Sequence, residues 1–175
     1  MGVSTRPLWT VLGMLWDALM IAFALGVLAS AGRRGVLRIV GGLLLAYGLL
    51  GLAWPLVSMH PREVLAAGGA TVADTGHLVL VAATGVAMVA AMAFGAAAFG
   101  RLFRVYSIAT IVVLLVFGAM TGADKSRIDA NLSTPWAGLR ERINIGATLL
   151  WVAVLAVVLL CTSLETPSGR PSRTT

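Results

Sequence analysis

The chain has 175 residues, of which 59% are hydrophobic and 11% charged, and its formal net charge is +6 at pH 7. So few polar side chains cannot cover a water-soluble globule of this length, which excludes a soluble enzyme or a soluble binding domain. The basic residues are scattered among loops without an aromatic platform, so we expect no nucleic-acid partner, and the basic balance favours contact with anionic membrane lipids.

Five apolar segments are each long enough to cross the hydrocarbon layer, which takes roughly 20 residues of helix. They cover residues 8–31, 36–57, 78–99, 105–123 and 143–164. The sequence therefore predicts an all-α fold, a polytopic bundle of five transmembrane helices. We expect one transmembrane domain over residues 1–165 and a disordered polar tail over residues 166–175. The first segment is too long for the apolar part of a secretory signal peptide, so we expect it to stay in the protein.

The loops predict how the chain crosses the membrane. One face receives short connectors that are almost purely basic, whereas the other receives two long loops of mixed charge. Lys and Arg alone number seven on the first face and six on the second, so the form of the loops carries the argument. Basic connectors favour the cytoplasmic side. We therefore expect a multi-pass protein of the cell membrane with its N-terminus outside and its C-terminus in the cytoplasm.

Small residues recur every four positions in two of the spans, where they let helix backbones approach closely. They are Gly42 and Ala46 in the second span and Ala83, Ala87, Ala91 and Gly95 in the third. This spacing predicts close packing of helices within one chain, with a homo-oligomer interface as the alternative.

The first long loop, MHPREVLAAGGATVADTGH, holds both histidines of the chain. Pro55 is expected to end the second helix, because proline removes a donor and clashes one turn back. Thr71 and Asp74 have the spacing of a capping box before the third apolar helix. His77 shares a helix face with Asp74, and a bond between them would hold the imidazole in one tautomer.

A metal site is the alternative use of this loop. Two histidines and a carboxylate are a known set of catalytic zinc ligands, and here His60, Glu63, Asp74 and His77 offer two pairs spaced three residues apart. However, no HExxH pattern is present, and Pro61 keeps His60 and Glu63 from sharing a helix face. The sequence therefore favours solvated interfacial side chains, with no metal and no cofactor.

The second long loop, ADKSRIDANLSTPWAGLRERINIG, leads into the last span. Ser133 or Thr134 is expected to cap that helix, with Pro135 at its first position. Arg140 and Asn144 share a face where the helix enters the bilayer. They either anchor the helix at the interface or close a polar site with the first loop. Since the two long loops carry opposite charges, we also expect a contact between a carboxylate and a basic side chain across them.

Asp17 lies about ten residues into the first span, where an ionised carboxylate costs a few kcal/mol unless it is paired, hydrated or protonated. It should face inward together with Gly13, Met20 and Ala24. Its expected partners are Tyr47, Thr84, Thr110, Asn144 or a hydrated cavity. We group the candidate functional residues as an outer polar vestibule, defined as Asp17, His60, Arg62, Glu63, Asp74, His77, Arg140, Glu141 and Asn144.

Three segments, containing HPRE, DTGH and PWAGLRERINIG, give the chain a resemblance to a known family. From about residue 8 to residue 160 it resembles the prokaryotic multi-helix membrane family called domain of unknown function 998. The resemblance implies a membrane architecture without a mechanism. Members typically have six helices, with one more helix upstream and then an external segment rich in Ser, Glu and Gly. This chain opens at STRPLW, so we expect that helix to be missing or the true start to lie elsewhere.

Two classes of function remain open. The first is a non-enzymatic transporter, channel or lipid-binding module built around the outer polar vestibule. The second is a membrane-embedded hydrolase or lipid-modifying enzyme, with or without a metal, that uses His60, Glu63, Asp74 and His77. Catalysis needs an acid, a base and an electrophile within hydrogen-bond reach, and the sequence brings only the two short-spaced pairs locally close. The first class is therefore favoured.

Overall fold

The structure is a computed structural model and describes residues 6–164. Its helices are α1 (Arg6–Ser30), α2 (Gly35–Gly51), α3 (Arg62–Ala66), α4 (Val72–Ala98), α5 (Arg101–Ala123), α6 (Lys125–Asp129) and α7 (Ala137–Leu164), and a 3₁₀ turn (Trp54–Leu56) follows α2. No strand occurs within the described residues. The all-α prediction is confirmed. The tail predicted to be disordered, residues 166–175, lies outside the described residues.

Five helical stretches are long and apolar enough to cross a membrane, as predicted. They are Pro7–Ser30, Gly35–Leu56, Val72–Ala98, Arg101–Asp129 and Ala137–Thr162. The fourth helix, α4, begins at Val72 and not at residue 78, because its capped first turns are polar and an apolar run does not include them. α2 ends at Gly51, before the proline that was expected to end it, and Pro55 lies in the following 3₁₀ turn.

The five long helices pack in the order α1, α2, α4, α5, α7, so that each lies against the next. The short helices α3 and α6 contact each other. We call the end of the bundle that carries α3 and α6 the loop end, and the end that carries the α1–α2 and α4–α5 turns the turn end. The core runs through all five long helices and includes Met20, Ala24, Val40, Leu44, Met92, Phe103, Trp151 and Leu155.

Glycines of α2 let α1 approach closely, but Gly42, which the sequence predicted to pack, is not among them. A methyl group at Gly41 would come within 2.7 Å of the Leu28 side chain, and one at Gly48 within 2.9 Å of Ile21. Gly42 faces open space, so its predicted packing role is wrong. The packing face of α2 is rotated by about one residue, because a row of small residues does not by itself fix which side meets a neighbour.

The small-residue face predicted for α4 is largely confirmed. Ala87, Ala91 and Gly95 are buried, and a methyl group at Gly95 would come within 2.8 Å of the Trp151 ring. Trp151 of α7 is fully buried, and its indole Nε1 donates a hydrogen bond of 2.9 Å to Ser107 Oγ of α5. One large side chain thus joins α4, α5 and α7 at mid-bundle.

Candidate functional site

The Asp74 carboxylate organises the first long loop. Oδ2 accepts hydrogen bonds from the Thr71 backbone N–H at 2.8 Å and from Thr71 Oγ1 at 3.0 Å. These contacts belong to the predicted capping box, in which Asp74 is the third residue of α4, and the box is confirmed. The carboxylate thereby satisfies donors at the start of α4 that have no partner within the helix.

His60 completes the set of bonds around Asp74 from the opposite side of the loop. Its backbone N–H donates to Asp74 Oδ1 at 2.8 Å, and its Nδ1 lies 2.9 Å from Oδ2. The side chain of Asp74 is only 6% exposed, whereas that of His60 is 39% exposed. His60 therefore presents the outer edge of its imidazole to the surface while its inner nitrogen is held by a buried carboxylate.

His77 does not bond to Asp74, so the predicted pairing of these two residues is wrong. Its Nδ1 lies 3.1 Å from the carbonyl oxygen of Val57, which requires Nδ1 to be the donor. The ring also meets Trp54 edge-on, with 5.1 Å between the ring centroids. His77 thus fixes the turn after α2 onto α4. The helix spacing allowed contact with Asp74, but a chain carbonyl and an aromatic ring lie closer.

Arg62 of α3 connects the two long loops. Its guanidinium donates to the Leu132 carbonyl oxygen and to Thr134 Oγ1, both at 2.5 Å. The loops therefore meet, as expected. However, within the described residues no carboxylate of one loop contacts a basic side chain of the other, so that prediction is wrong. The ion pairs in the described residues lie within one loop or its flanking helices: His60 with Asp74, Lys125 with Asp129, and Arg140 with Asp124.

The Arg140 guanidinium ties the start of α7 to the end of α5. Its Nη1 donates to Asp124 Oδ2 at 2.8 Å and to the Met120 carbonyl oxygen at 3.1 Å. The side chains of Arg140 and Asp124 are largely buried, at 19% and 11% exposed. α7 itself begins at Ala137, so Pro135 lies in the preceding turn and not at the first helical position.

Asn144 lies one helical turn further along α7 and faces Gly118 of α5. Its Oδ1 is buried and accepts no hydrogen bond from any described residue. A methyl group at Gly118 would come within 3.8 Å of its amide nitrogen, so the side chain fills the space that this glycine leaves. Asn144 thus lies below the Arg140–Asp124 pair, between α7 and α5.

The prediction that Asp17 faces inward is confirmed, since its side chain is 5% exposed and Met20 and Ala24 beside it are buried. Its carboxyl group packs directly on Gly51, the last residue of α2. Gly13 does not share this packing and faces open space. No hydrogen bond or ion pair joins the Asp17 carboxyl group to another part of residues 6–164.

Two of the partners expected for Asp17, Thr84 and Thr110, bond within their own helices. Thr84 donates to the Leu80 carbonyl oxygen and Thr110 to that of Tyr106, each four residues back in its own helix. Asn144 lies against α5, whereas Tyr47 packs against the core and lies close enough to Asp17 to interact electrostatically with its carboxyl group. Short hydroxyl side chains in a helix bond to the preceding turn when no other acceptor is nearer.

The residues of the outer polar vestibule thus separate into two groups, the single side chain of Arg62, and three isolated side chains. His60, Asp74 and His77 fix the first loop to α4, Arg62 joins the loops, and Arg140 with Asn144 lies between α5 and α7. Asp17 stands apart between α1 and α2, and Glu63 and Glu141 are exposed. Across the described chain, no three side chains of His, Cys, Asp or Glu gather as a metal-binding set, so His60, Glu63, Asp74 and His77 do not form the zinc site that was considered.

Asp124 is the polar residue whose role sequence reasoning missed. It is 8% exposed and holds Arg140 across sixteen residues of chain. The sequence placed it among the solvated charges of a mixed loop. Its position directly after an apolar segment was the available signal, because a carboxylate there lies where the bilayer ends and gains from a basic partner.

Comparison with known proteins gives one match. A family model described as Protein of unknown function (DUF998) matches residues 5–158, a range that contains α1 to α6, most of α7 and every residue of the outer polar vestibule. No curated protein and no solved structure matches the chain.

Proposed function

The chain belongs to the DUF998 family of membrane-type proteins of unknown function, and we propose that it is a non-enzymatic transporter that carries protons on the Asp17 carboxyl group. The single observation behind this proposal is the carboxyl group of Asp17, buried between two apolar helices without a bonded partner in the described residues. A carboxylate in such surroundings is costly, and proteins keep such groups where they bind or move an ion. A proton removes the charge and most of the cost.

The position of Asp17 along the bundle supports this role. Its carboxyl group lies at Gly51, where α2 ends and the chain turns toward the loop end. Beyond Gly51 the chain continues through the 3₁₀ turn to His60 and the polar loop residues. In this proposal, protons reach Asp17 from the loop end, past the polar residues of the first long loop.

The bonds of the loop residues argue for transport over the alternative enzyme. An acid or base in catalysis must be within reach of a substrate proton and able to exchange it. Here the Asp74 carboxylate receives four hydrogen bonds, one of them from Nδ1 of His60. Nδ1 of His77 is held by the Val57 carbonyl oxygen. Glu63 is exposed and outside this network. In this proposal these groups stabilise the fold. The alternative enzyme function has no other candidate residues.

A proton-flux assay tests the proposal. The purified chain is reconstituted in liposomes with a trapped pH-sensitive dye, and a pH gradient is imposed with valinomycin and K⁺ to balance charge. Asp17→Asn keeps the shape of the side chain but cannot carry a proton, so it should abolish the flux above that of empty liposomes. Asp129→Asn is the matched control, because it removes an exposed carboxylate at the loop end and should leave the flux unchanged.

Two outcomes would overturn transport on Asp17. One is a wild-type flux no greater than that of empty liposomes, and the other is an Asp17→Asn flux equal to the wild type. Thermal unfolding of each variant in detergent shows that a lost flux does not reflect a lost fold.

The proposal includes an orientation, with the loop end and the N-terminus outside and the turn end at the cytoplasm. The exposed Cys161 is first replaced by serine. A single cysteine at Ser126 should then react with an impermeant thiol reagent in intact cells, and one at Ser168 only after permeabilisation. The reverse pattern would show that the orientation is wrong, without affecting the role of Asp17.

A further inference from the structure

A crevice separates α1 from α7 near the turn end of the bundle. Its inner part has a volume of about 260 Å³ and an apolar lining that includes Phe23 and Val27 of α1 and Leu160 of α7. Ser30 and Leu159 border this part and also the outer part, which has a volume of about 310 Å³. The two parts therefore adjoin, and together we call them the α1–α7 crevice.

The crevice follows from the packing order. α1 packs on α2 and α7 packs on α5, so these two helices lie at the ends of the series and do not pack closely on each other. Gly26 and Ala156 line the crevice, and their small size leaves room that larger side chains would fill. In a membrane, lipid acyl chains or the apolar side chains of another helix fill an open apolar space between helices.

The outer part of the crevice carries a double positive charge. Arg33 and Arg34 line it, and both are exposed. Neither guanidinium makes a hydrogen bond or ion pair within residues 6–164. Two other arginines of the turn end are engaged, since Arg38 donates to the Gly32 carbonyl oxygen and Arg104 to that of Ala96. Arg33 and Arg34 thus offer unused donors directly above an apolar space.

We propose that the α1–α7 crevice binds one anionic phospholipid, with an acyl chain against Phe23 and Leu160 and the phosphate at Arg33 and Arg34. A phospholipid complements this arrangement, because its acyl chains are apolar and its phosphate at the membrane surface is anionic. Guanidinium groups suit phosphate oxygens because they donate two parallel hydrogen bonds. Basic pockets between transmembrane helices are where anionic headgroups bind.

The charges argue against a second copy of the chain as the occupant. Its helices would have to offer an acidic side chain to Arg33 and Arg34. Of the six acidic residues in the described part, Asp17 is buried and the other five lie in or beside the two long loops at the loop end, so a parallel second copy would bring none of them to Arg33 and Arg34. A lipid phosphate supplies the missing negative charge at the membrane surface. This inference is independent of the proton transport proposed for Asp17.

Native mass spectrometry of the full chain tests the inference. The protein is released from detergent micelles supplemented with equal amounts of phosphatidylglycerol and phosphatidylcholine of matched acyl chains. We expect one retained phosphatidylglycerol molecule per chain. Arg33→Gln combined with Arg34→Gln should weaken its retention roughly 10- to 30-fold, which corresponds to two lost arginine contacts.

Two further variants separate the crevice from general surface charge. Arg101→Gln removes an exposed arginine at the same end but outside the crevice, and it should leave retention unchanged. Ala156→Leu fills the apolar part and should reduce retention of both lipids. Equal losses with Arg101→Gln and with the double variant would overturn the proposal.

Competition and oligomeric state decide between occupants. Inorganic phosphate at 10-fold excess over the lipid should not displace phosphatidylglycerol, and displacement would show a simple phosphate site in place of a lipid site. A wild-type dimer that Ala156→Leu converts to a monomer would show that a second copy fills the crevice, and would also overturn the proposal.

Discussion

Gly51→Ala offers the sharpest test of how α1 and α2 meet. A methyl group on Gly51 would overlap the carboxyl group of Asp17, with Oδ2 at 2.8 Å and the other two carboxyl atoms closer still. Real methyl carbons essentially never approach a heavy atom so closely. Either the carboxyl group must leave its position or the two helices must separate.

The expected cost follows from two opposing effects. Inserting a methyl group into a packed contact costs about 1–3 kcal/mol. Replacing glycine by alanine in a helix interior gains about 0.5–1 kcal/mol, but Gly51 is the last residue of α2 and gains less. The net loss of unfolding free energy should be about 1–2 kcal/mol. Gly42→Ala, in the same helix but facing open space, should instead gain about 0.5–1 kcal/mol.

Unfolding in mixed micelles of a mild detergent and sodium dodecyl sulfate measures both variants, with tryptophan fluorescence as the signal. A double-mutant cycle then identifies the opposing group. Asp17→Ala removes the carboxyl group, so Gly51→Ala should cost much less in that background, with a coupling of about 1 kcal/mol or more.

Two results would refute this account of the helix contact. One is that Gly51→Ala is as stable as Gly42→Ala, which would mean that the carboxyl group moves at no cost. The other is that the loss persists unchanged in the Asp17→Ala background, so that a different neighbour opposes the methyl group.

Three further substitutions test the bonds of the loop end and the core, each measured by the same unfolding titration. Asp74→Ala removes the acceptor of four hydrogen bonds and should cost about 2–4 kcal/mol, with faster hydrogen exchange in the first loop; unchanged exchange would contradict its role. Arg140→Gln leaves the nearly buried Asp124 without its cation and should cost about 2–4 kcal/mol of unfolding free energy. Replacing both residues by leucine should restore most of this loss. Trp151→Phe leaves the Ser107 hydroxyl without its donor and should cost about 1–3 kcal/mol, whereas Ser107→Ala in the Phe variant should cost little more.

Parts of the candidate site could be predicted because they depend on neighbours in the chain. The capping box of Thr71 and Asp74 is a contact over three residues, and the helix geometry alone brings its atoms together. The inward direction of Asp17 followed from the cost of facing lipid. In both, one physical rule applied without knowledge of any other helix.

Other parts could not be predicted, because they join segments that are far apart in the chain. The partner of Asp74 is His60, fourteen residues earlier, although His77 had the better helix spacing. The pair of Arg140 and Asp124 spans sixteen residues and depends on how the turn after α6 returns the chain to α5. Charge and spacing name the groups that can bond, but loop paths decide which of them meet.

By itself the sequence determined the all-α class of fold and the five helices that are long and apolar enough to cross a membrane, because a chain this apolar must satisfy its backbone hydrogen bonds inside helices. Only the tertiary structure decided how α2 is rotated about its axis. α2 presents Gly41, Gly48 and Gly51 to α1, and not the adjacent Gly42. Apolar side chains surround most of each helix, so hydropathy gives no preferred face, and close packing against one particular neighbour fixes the rotation.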